Sequence, residues 1–214
     1  MIKDAYREIT RLIPEDSFLV EQRVKDDFDF PIHFHPEYEL NFIYRGKGVR
    51  RIIGDHSDEI DDLELVLVGP NVVHGWELHN CTCKEIYEIT IHIHNDLFDQ
   101  KMLSRRIFKP ISDMFKRAKH GILFSRETTN LLMPRIMLLS RITGLQYYLE
   151  FISILNDLAI SEGQKALSIS IDEKEDFHNS DKIKKVYDYI QENFSKTITL
   201  NEISKLVNMS PVSF

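Results

Sequence analysis

The hydrophobic period of this 214-residue chain changes near residue 95, and that change limits the folds open to it. Residues 17–94 carry short β-rich runs with turn residues between them: 18–24, 39–44, 49–53, 63–68 and 86–93 are the clearest. Arg45-Gly46-Lys47-Gly48 and Gly54-Asp55 read as tight turns joining neighbours. In the last run Tyr87, Ile89, Ile91 and Ile93 face one way, and Glu88, Thr90, His92 and His94 the other, as a half-buried strand requires. Many short strands at this spacing predict an antiparallel barrel or sandwich. The fold class expected is therefore α+β, with an antiparallel β-barrel over residues 1–95 followed by helices.

From residue 96 the period is helical. A helix over 105–119 should stop at Gly121, and Ser125 should cap the next one, which runs through Leu131-Leu132-Met133 to Leu138-Leu139. Thr143 and Gln146 are spaced as a capping box for a third helix. Its stripe of Leu145, Tyr148, Leu149, Ile152, Leu155 and Ala159 has i, i+3, i+4 spacing and is expected to pack against the barrel or a neighbouring helix. A homodimer seam would use the same stripe if one face stayed open. Residues 96–161 thus form a helical hairpin with a role in dimerisation. Residues 162–180, polar and acidic at Asp172-Glu173-Lys174-Glu175-Asp176, read as a linker.

The last segment, 181–214, predicts a helix over 181–193 with Ile183, Val186, Tyr187, Ile190 and Phe194 on one face. Thr199 and Glu202 then form a capping box ahead of Leu200, Ile203, Leu206 and Val207. Small Ser204 would let another helix cross closely. Asn208-Met209 makes a tight turn, and Ser210 caps a new helix with Pro211 at its first position. Helix, short turn and capped helix make the helix-turn-helix arrangement, with the second helix entering DNA. The run from Asp181 through I-T-L-N-E-I-S-K-L-V-N-M-S-P-V-S-F resembles the opening of the DNA-binding domain of AraC/XylS-family regulators. The resemblance implies contacts to operator DNA from Ser210, Pro211, Val212 and Ser213. It also implies a domain cut off just inside its recognition helix, so that these 214 residues alone should bind operator DNA poorly.

The sharpest chemistry lies in I-H-F-H-P-E-Y-E-L-N-F-I-Y-R-G. On an extended chain His33, His35 and Glu39 can point into one interior. With Gly46 they match H-x-H-x3-E-x6-G, the first motif of the cupins, and His74 stands where the second motif would supply another histidine. That second motif is otherwise degenerate: its glycine, proline, glycine and asparagine fall at Leu63, Gly69, Asn71 and Leu78. Asn71 can still adopt the left-handed turn. Two imidazoles and a carboxylate suit Fe, Mn, Ni or Zn. The same four groups, without a metal, could hydrogen-bond an effector. Both readings stay open, with the pocket preferred, because the N-terminal domains of AraC-type regulators are similar to cupins yet commonly sense sugars or other small molecules without a metal. Trp76 shares parity with His74 and offers a flat face to a sugar ring; Asn41 shares parity with Glu39 and extends the polar lining. His92 and His94, an H-x-H with no partnered acid, read as a polar strand face. Cys81 and Cys83 lack further ligands at zinc-site spacing.

Composition bounds the partners. There are 27 basic and 34 acidic residues, a net charge of −7, whereas a self-contained nucleic-acid-binding domain usually shows a basic excess. The resemblance accounts for this, since the usual basic positions follow the serine-proline cap. Two cysteines are too few for a disulfide framework, and no run approaches the ~18 apolar residues of a membrane span. The expectation is a cytoplasmic homodimeric regulator whose cupin-like barrel takes a small-molecule effector, a carbohydrate by family analogy. The alternative is a metal-dependent cupin enzyme, a dioxygenase or isomerase, with a helical tail.

Overall fold

The structure is a computed structural model and describes residues 5–169, 185, 186, 189, 190, 193, 194 and 196–211. The chain divides into two compact units, residues 1–173 and 174–214.

The first unit is built on two facing sheets. The six-stranded sheet runs β11(Lys165–Ala166), β10(Ile122–Leu123), β7(Leu63–Val68), β4(Tyr38–Tyr44), β9(Ile86–Ile93), β2(Phe18–Lys25). The five-stranded sheet runs β1(Tyr6–Arg7), β3(His33–Phe34), β8(His74–Glu77), β5(Arg50–Ile53), β6(His56–Glu59). Every pair is antiparallel except β1 with β3. The closed barrel expected from the strand count is thus corrected to a sandwich. At the corners the chain leaves one ladder and turns into the other: residues 60–62, between β6 and β7, belong to no strand. No described strand pair joins the two sheets. Gly46 shows how tight one corner is, because a Cβ there would sit 2.5 Å from Ile43 Cγ2 and 3.0 Å from Ile60 Cδ1.

Strand periodicity splits the six-stranded sheet into two faces. Leu40, Phe42, Leu65, Leu67, Ile89, Ile91 and Ile93 form an outer core with the helices. Ile43, Val66, Val68 and Ile86 turn inward, where Val49, Ile53 and Trp76 meet them from the other sheet. The helices on the outer face are α1(Gln100–Leu103), α2(Lys109–Arg117), α3(Arg126–Leu139) and α4(Gly144–Ile160). The helical run after α2 ends at Gly121, at φ 64°, a conformation that costs glycine little. Ser125 caps α3 as expected, its hydroxyl accepting from the Thr128 amide at 3.2 Å. Thr143 sits at the N-cap of α4, but its side chain makes no capping bond.

The stripe read on α4 packs as expected at Leu155, with Tyr148, Ile152 and Ala159 against the same core, but not at its N-terminal end. Phe151, Ile154, Leu155 and Leu158 are buried, with Phe18 stacked on Phe151 at 4.1 Å, whereas Leu145 and Leu149 are 72% and 57% exposed. A wide apolar helix admits more than one stripe, and aromatic stacking on β2 selects this one. Within the segment read as linker, Lys165–Ala166 pairs with β10 and Leu167 is buried in the inner core.

In the second unit, Lys185, Val186, Tyr189, Ile190 and Asn193 are helical; the rest of the helix expected over 181–193 lies outside the described residues. α5(Leu200–Leu206) follows. Its capping box is complete: the Glu202 amide donates to the Thr199 hydroxyl at 3.3 Å, and the Thr199 amide to the Glu202 carboxylate at 2.8 Å. Ser204 is fully buried. Asn208 takes the left-handed conformation (φ 54°), and the Met209 amide donates back to Ser204 O at 2.8 Å. This is a left-handed C-terminal stop, and it places exposed Ser210 and Pro211 just beyond the turn. Val212 and Ser213 lie outside the described residues.

Candidate functional site

The inner face carries a cluster of buried ionisable groups built from cross-strand pairs. His33 on β3 is directly opposite His74 on β8. Across the sandwich, Glu39 on β4 is opposite His92 on β9, and Asn41 is opposite Thr90. His35 follows β3. All of His33, His35, Glu39, Asn41, His74 and His92 are at least nine-tenths buried. The structure therefore brings together the four groups of the sequence motif, and it adds His92. His92 lies on the polar face with Glu88 and Thr90 as read, but the reading that it has no partnered acid is corrected: its Nε2 lies 3.4 Å from Glu39 Oε2. His94 pairs with Asp96 instead.

Glu39 is the hub. Its Oε2 is 3.1 Å from His35 Nε2 and 3.2 Å from His74 Nε2. Burial alone would raise the Glu39 carboxyl, but the imidazoles of His74, His35 and His92 outweigh it and hold the group well below the usual carboxylate range. Burial also opposes charge on His35, yet the Glu37 and Glu39 carboxylates push its imidazole up to about 10. His33 goes the other way: burial, reinforced by His74, brings it down to about 3. Two histidines two residues apart are thus driven in opposite directions, His33 by burial beside a second imidazole and His35 by two carboxylates.

Ring orientations are fixed from behind. His33 Nδ1 donates to Pro31 O at 2.9 Å and His74 Nδ1 to Val72 O at 2.8 Å, so both turn Nε2 inward. Backbone anchoring of this kind orients metal-ligating histidines. One donor atom from each of His33, His35, Glu39 and His74 lies within 4.8 Å of the others. Three imidazoles and a carboxylate, all buried and oriented, fit a divalent transition ion. These residues would hold it, and when bound it supplies a Lewis-acid position.

A cavity of about 620 Å³ opens beside the cluster. One wall is polar: Lys25 is paired with Glu88 at 2.6 Å, and the Asn41 amide donates to Glu39 and Thr90 at 3.2 and 3.3 Å. Asn41 Oδ1 is buried without a partner. Phe28, Phe30 and Trp76 supply apolar surface, and the N-terminal arm contributes Tyr6, Arg7, Glu8, Ile9 and Arg11. The arm's part was invisible in the sequence, because a two-residue strand leaves no periodic trace. Trp76 is only 5% exposed. Its indole N–H donates to Glu64 at 3.3 Å, and its ring meets His74 edge-on. Glu64 is ion-paired with Arg51, both buried. Cys81 and Cys83 are free thiols. Among the described residues no helix is long and apolar enough to cross a membrane.

The fold and site define a two-sheet β-domain with a buried histidine–glutamate centre, helices on its outer face, and a separate helical unit. No protein-family model matches the chain, and no curated protein matches it. Similar solved structures are those of ToxT from Vibrio cholerae. The apo K231A form is 18% identical, over 92% of this chain and 72% of that one, with a TM-score of 0.49. ToxT bound to (E)-4-(8-methylnaphthalen-1-yl)but-3-enoic acid is 14% identical, over 91% and 73%, with a TM-score of 0.40. The unsaturated fatty acid-bound form is 15% identical, over 91% and 70%, with a TM-score of 0.39.

Proposed function

We propose that this chain is an effector-responsive transcription regulator of the AraC/XylS type. The observation that carries the reading is the joining, in one chain, of two different kinds of unit. One holds a cavity lined by buried polar groups. The other holds a helix with a complete capping box, a left-handed stop at Asn208, and then Ser210-Pro211. The first suits recognition of a small molecule and the second the start of a helix-turn-helix.

The effector proposed is a hydroxyl-rich molecule such as a sugar, which would meet Lys25, Glu88, Asn41 and Thr90 with its hydroxyls and the aromatic side chains with its C–H face. His33, His35, Glu39 and His74 would orient it directly or through a bound ion. Trp76 would act by packing, since its N–H is already committed to Glu64. The exposed Leu145 and Leu149 of α4 are proposed as part of a homodimer surface.

Immunoprecipitation of the tagged protein from its native cell should recover discrete DNA sites. Uniform recovery across the genome would count against the regulator reading. A thermal-shift panel of monosaccharides and fatty acids tests the effector separately, because a ligand that binds only the folded state raises Tm. If only the fatty acids raise it, the sugar assignment fails and the regulator reading survives.

A second reading, a metal-dependent enzyme, is favoured by the oriented four-donor set. Turnover of a substrate by the metal-loaded chain, lost in His33→Ala, would establish it and displace the first.

A further inference from the structure

Charge is spread unevenly along the chain. Residues 101–119 hold seven lysines and arginines against one acid, Asp113, while the other residues hold 20 basic and 33 acidic side chains. The run covers α1, α2 and the single 3-10 turn that follows each. Ile111, Met114, Phe115 and Ala118 are buried in the outer core, so the helical period turns Lys109, Lys116 and Arg117 to solvent. Lys101, Arg105, Arg106 and Lys119 are exposed as well. We infer that this face of the first unit binds the phosphate backbone of duplex DNA, chiefly through Arg105, Arg106, Lys109 and Lys116.

Helix stability does not explain the first three of these. Lys109 is the first residue of α2, and Arg105 and Arg106 stand just before it. The first turn of α2 holds no acid, and Phe108 at its N-cap makes no side-chain capping bond. Cations are unfavourable at the positive end of a helix, so the three are placed against local stability. Lys116 and Arg117, in the last turn, suit the helix by the same argument. An anion held between Arg105, Arg106 and Lys109 meets both their charges and the helix N-terminus. The side chains surround a concavity of about 460 Å³, lined also by Ser104, Ser112 and Lys116. Asp113 pairs with Lys109 at 2.6 Å and with Lys116 at 3.7 Å. Neither Arg105 nor Arg106 has a side-chain partner among the described residues.

Two features favour a polymer over a small anion. The cations are exposed, so no buried group fixes a cradle for one phosphate, and they continue past the concavity at Lys101, Arg117 and Lys119. Such a surface gains affinity by releasing counterions from a polyanion. Arginine, lysine, serine and helix N-termini are the usual partners of DNA phosphates. Duplex DNA is the polyanion assigned because the same chain carries the start of a helix-turn-helix, a choice that rests on the regulator reading. Residues 174–214 hold six basic and six acidic side chains. Within these 214 residues the electrostatic share of DNA affinity therefore falls to the first unit.

The test uses the purified 214-residue chain and a fluorescent duplex of unrelated sequence, with anisotropy read between about 50 and 200 mM salt. Binding should fall in the range of about 10⁻⁶–10⁻⁴ M that non-specific contact gives, and weaken as salt rises. Arg105→Gln with Arg106→Gln and Lys109→Gln should lower affinity at least about tenfold and flatten the salt slope by about 2–3, since each lost phosphate contact removes roughly 0.9. The Tm of this variant should hold or rise, because the changes relieve the N-terminus of α2; that separates lost contacts from lost folding. Arg105→Lys with Arg106→Lys should keep the slope. Lys47→Gln with Lys84→Gln and Arg141→Gln removes the same charge from exposed sites elsewhere and should leave affinity within about twofold. Absence of binding at low salt, equal losses in the two triple variants, or capture by phosphatidylserine vesicles in place of DNA would overturn the inference. Recovery of DNA sites from the native cell separates the two readings. Discrete sites, with no difference between the triple variants in solution, leave the regulator reading standing alone; the converse leaves the DNA-binding face standing alone.

Discussion

The two faces of the six-stranded sheet come from the same strands and have opposite chemistry. On β9, Ile89, Ile91 and Ile93 meet the helices, while Glu88, Thr90 and His92 line the interior. On β4, Leu40 and Phe42 face outward and Glu39 and Asn41 inward. The outward residues release apolar surface from water, at about 25 cal/mol per Å². The inward ones bury charge, which is costly unless each group is paired and hydrogen-bonded. The outer face should therefore contribute more to the stability of the unit than the ionisable part of the inner face does.

The largest effect should come from the outer face. Phe151 is fully buried and stacked on Phe18; Phe151→Ala should cost about 3–5 kcal/mol, read by urea denaturation. A loss below about 1 kcal/mol would mean that the helices are not what holds the sheet. A comparable loss on the inner face should have a different signature. Arg51→Met leaves Glu64 buried without its cation, a cost of about 3–5 kcal/mol. Arg51→Met with Glu64→Gln should return most of that, because the neutral amide still accepts from Trp76. No such second-site repair exists for Phe151→Ala.

How much of this was legible follows the same division. The outer face was readable because aliphatic residues at period two declare a strand and its buried side, as in residues 86–93. The site was half readable: His33, His35 and Glu39 lie close in sequence and His74 completes a pattern. His92 was hidden, since an H-x-H on a strand gains meaning only when pairing sets it opposite Glu39. Glu8 left no signal at all, since it follows a two-residue strand whose partner is set by tertiary structure. The short strands β3, β6 and β8 escaped for a related reason, as two to four polar or mixed residues carry too little alternation to read. On α4 the stripe was legible at Tyr148, Ile152, Leu155 and Ala159, while the burial of Phe151 depends on Phe18 of β2, which local periodicity cannot know.

The smaller effects sharpen the contrast. His92→Leu should change stability by no more than about 1 kcal/mol, because the gain from removing a buried imidazole is offset by losing its contact with the Glu39 carboxylate, 3.4 Å away, which still keeps His35 and His74. A loss of more than about 2 kcal/mol would mean that the imidazole is a main support of the buried carboxylate.

The smallest change is expected at Leu149, on the side of α4 turned away from the core. At 57% exposure it contributes little to the unit's own packing, so Leu149→Lys should alter monomer stability by no more than about 0.5 kcal/mol. Sedimentation at several concentrations then gives the substitution its meaning. If α4 forms a homodimer surface, a lysine there must desolvate its ammonium on association, and the dimer should weaken while the melting of the monomer stays put. If both quantities are unmoved, Leu149 is an isolated exposed leucine of the ordinary kind, and the outer face ends at Phe151, Ile154, Leu155 and Leu158. A fall in monomer stability would instead place Leu149 in the core with the rest of the stripe read from the sequence.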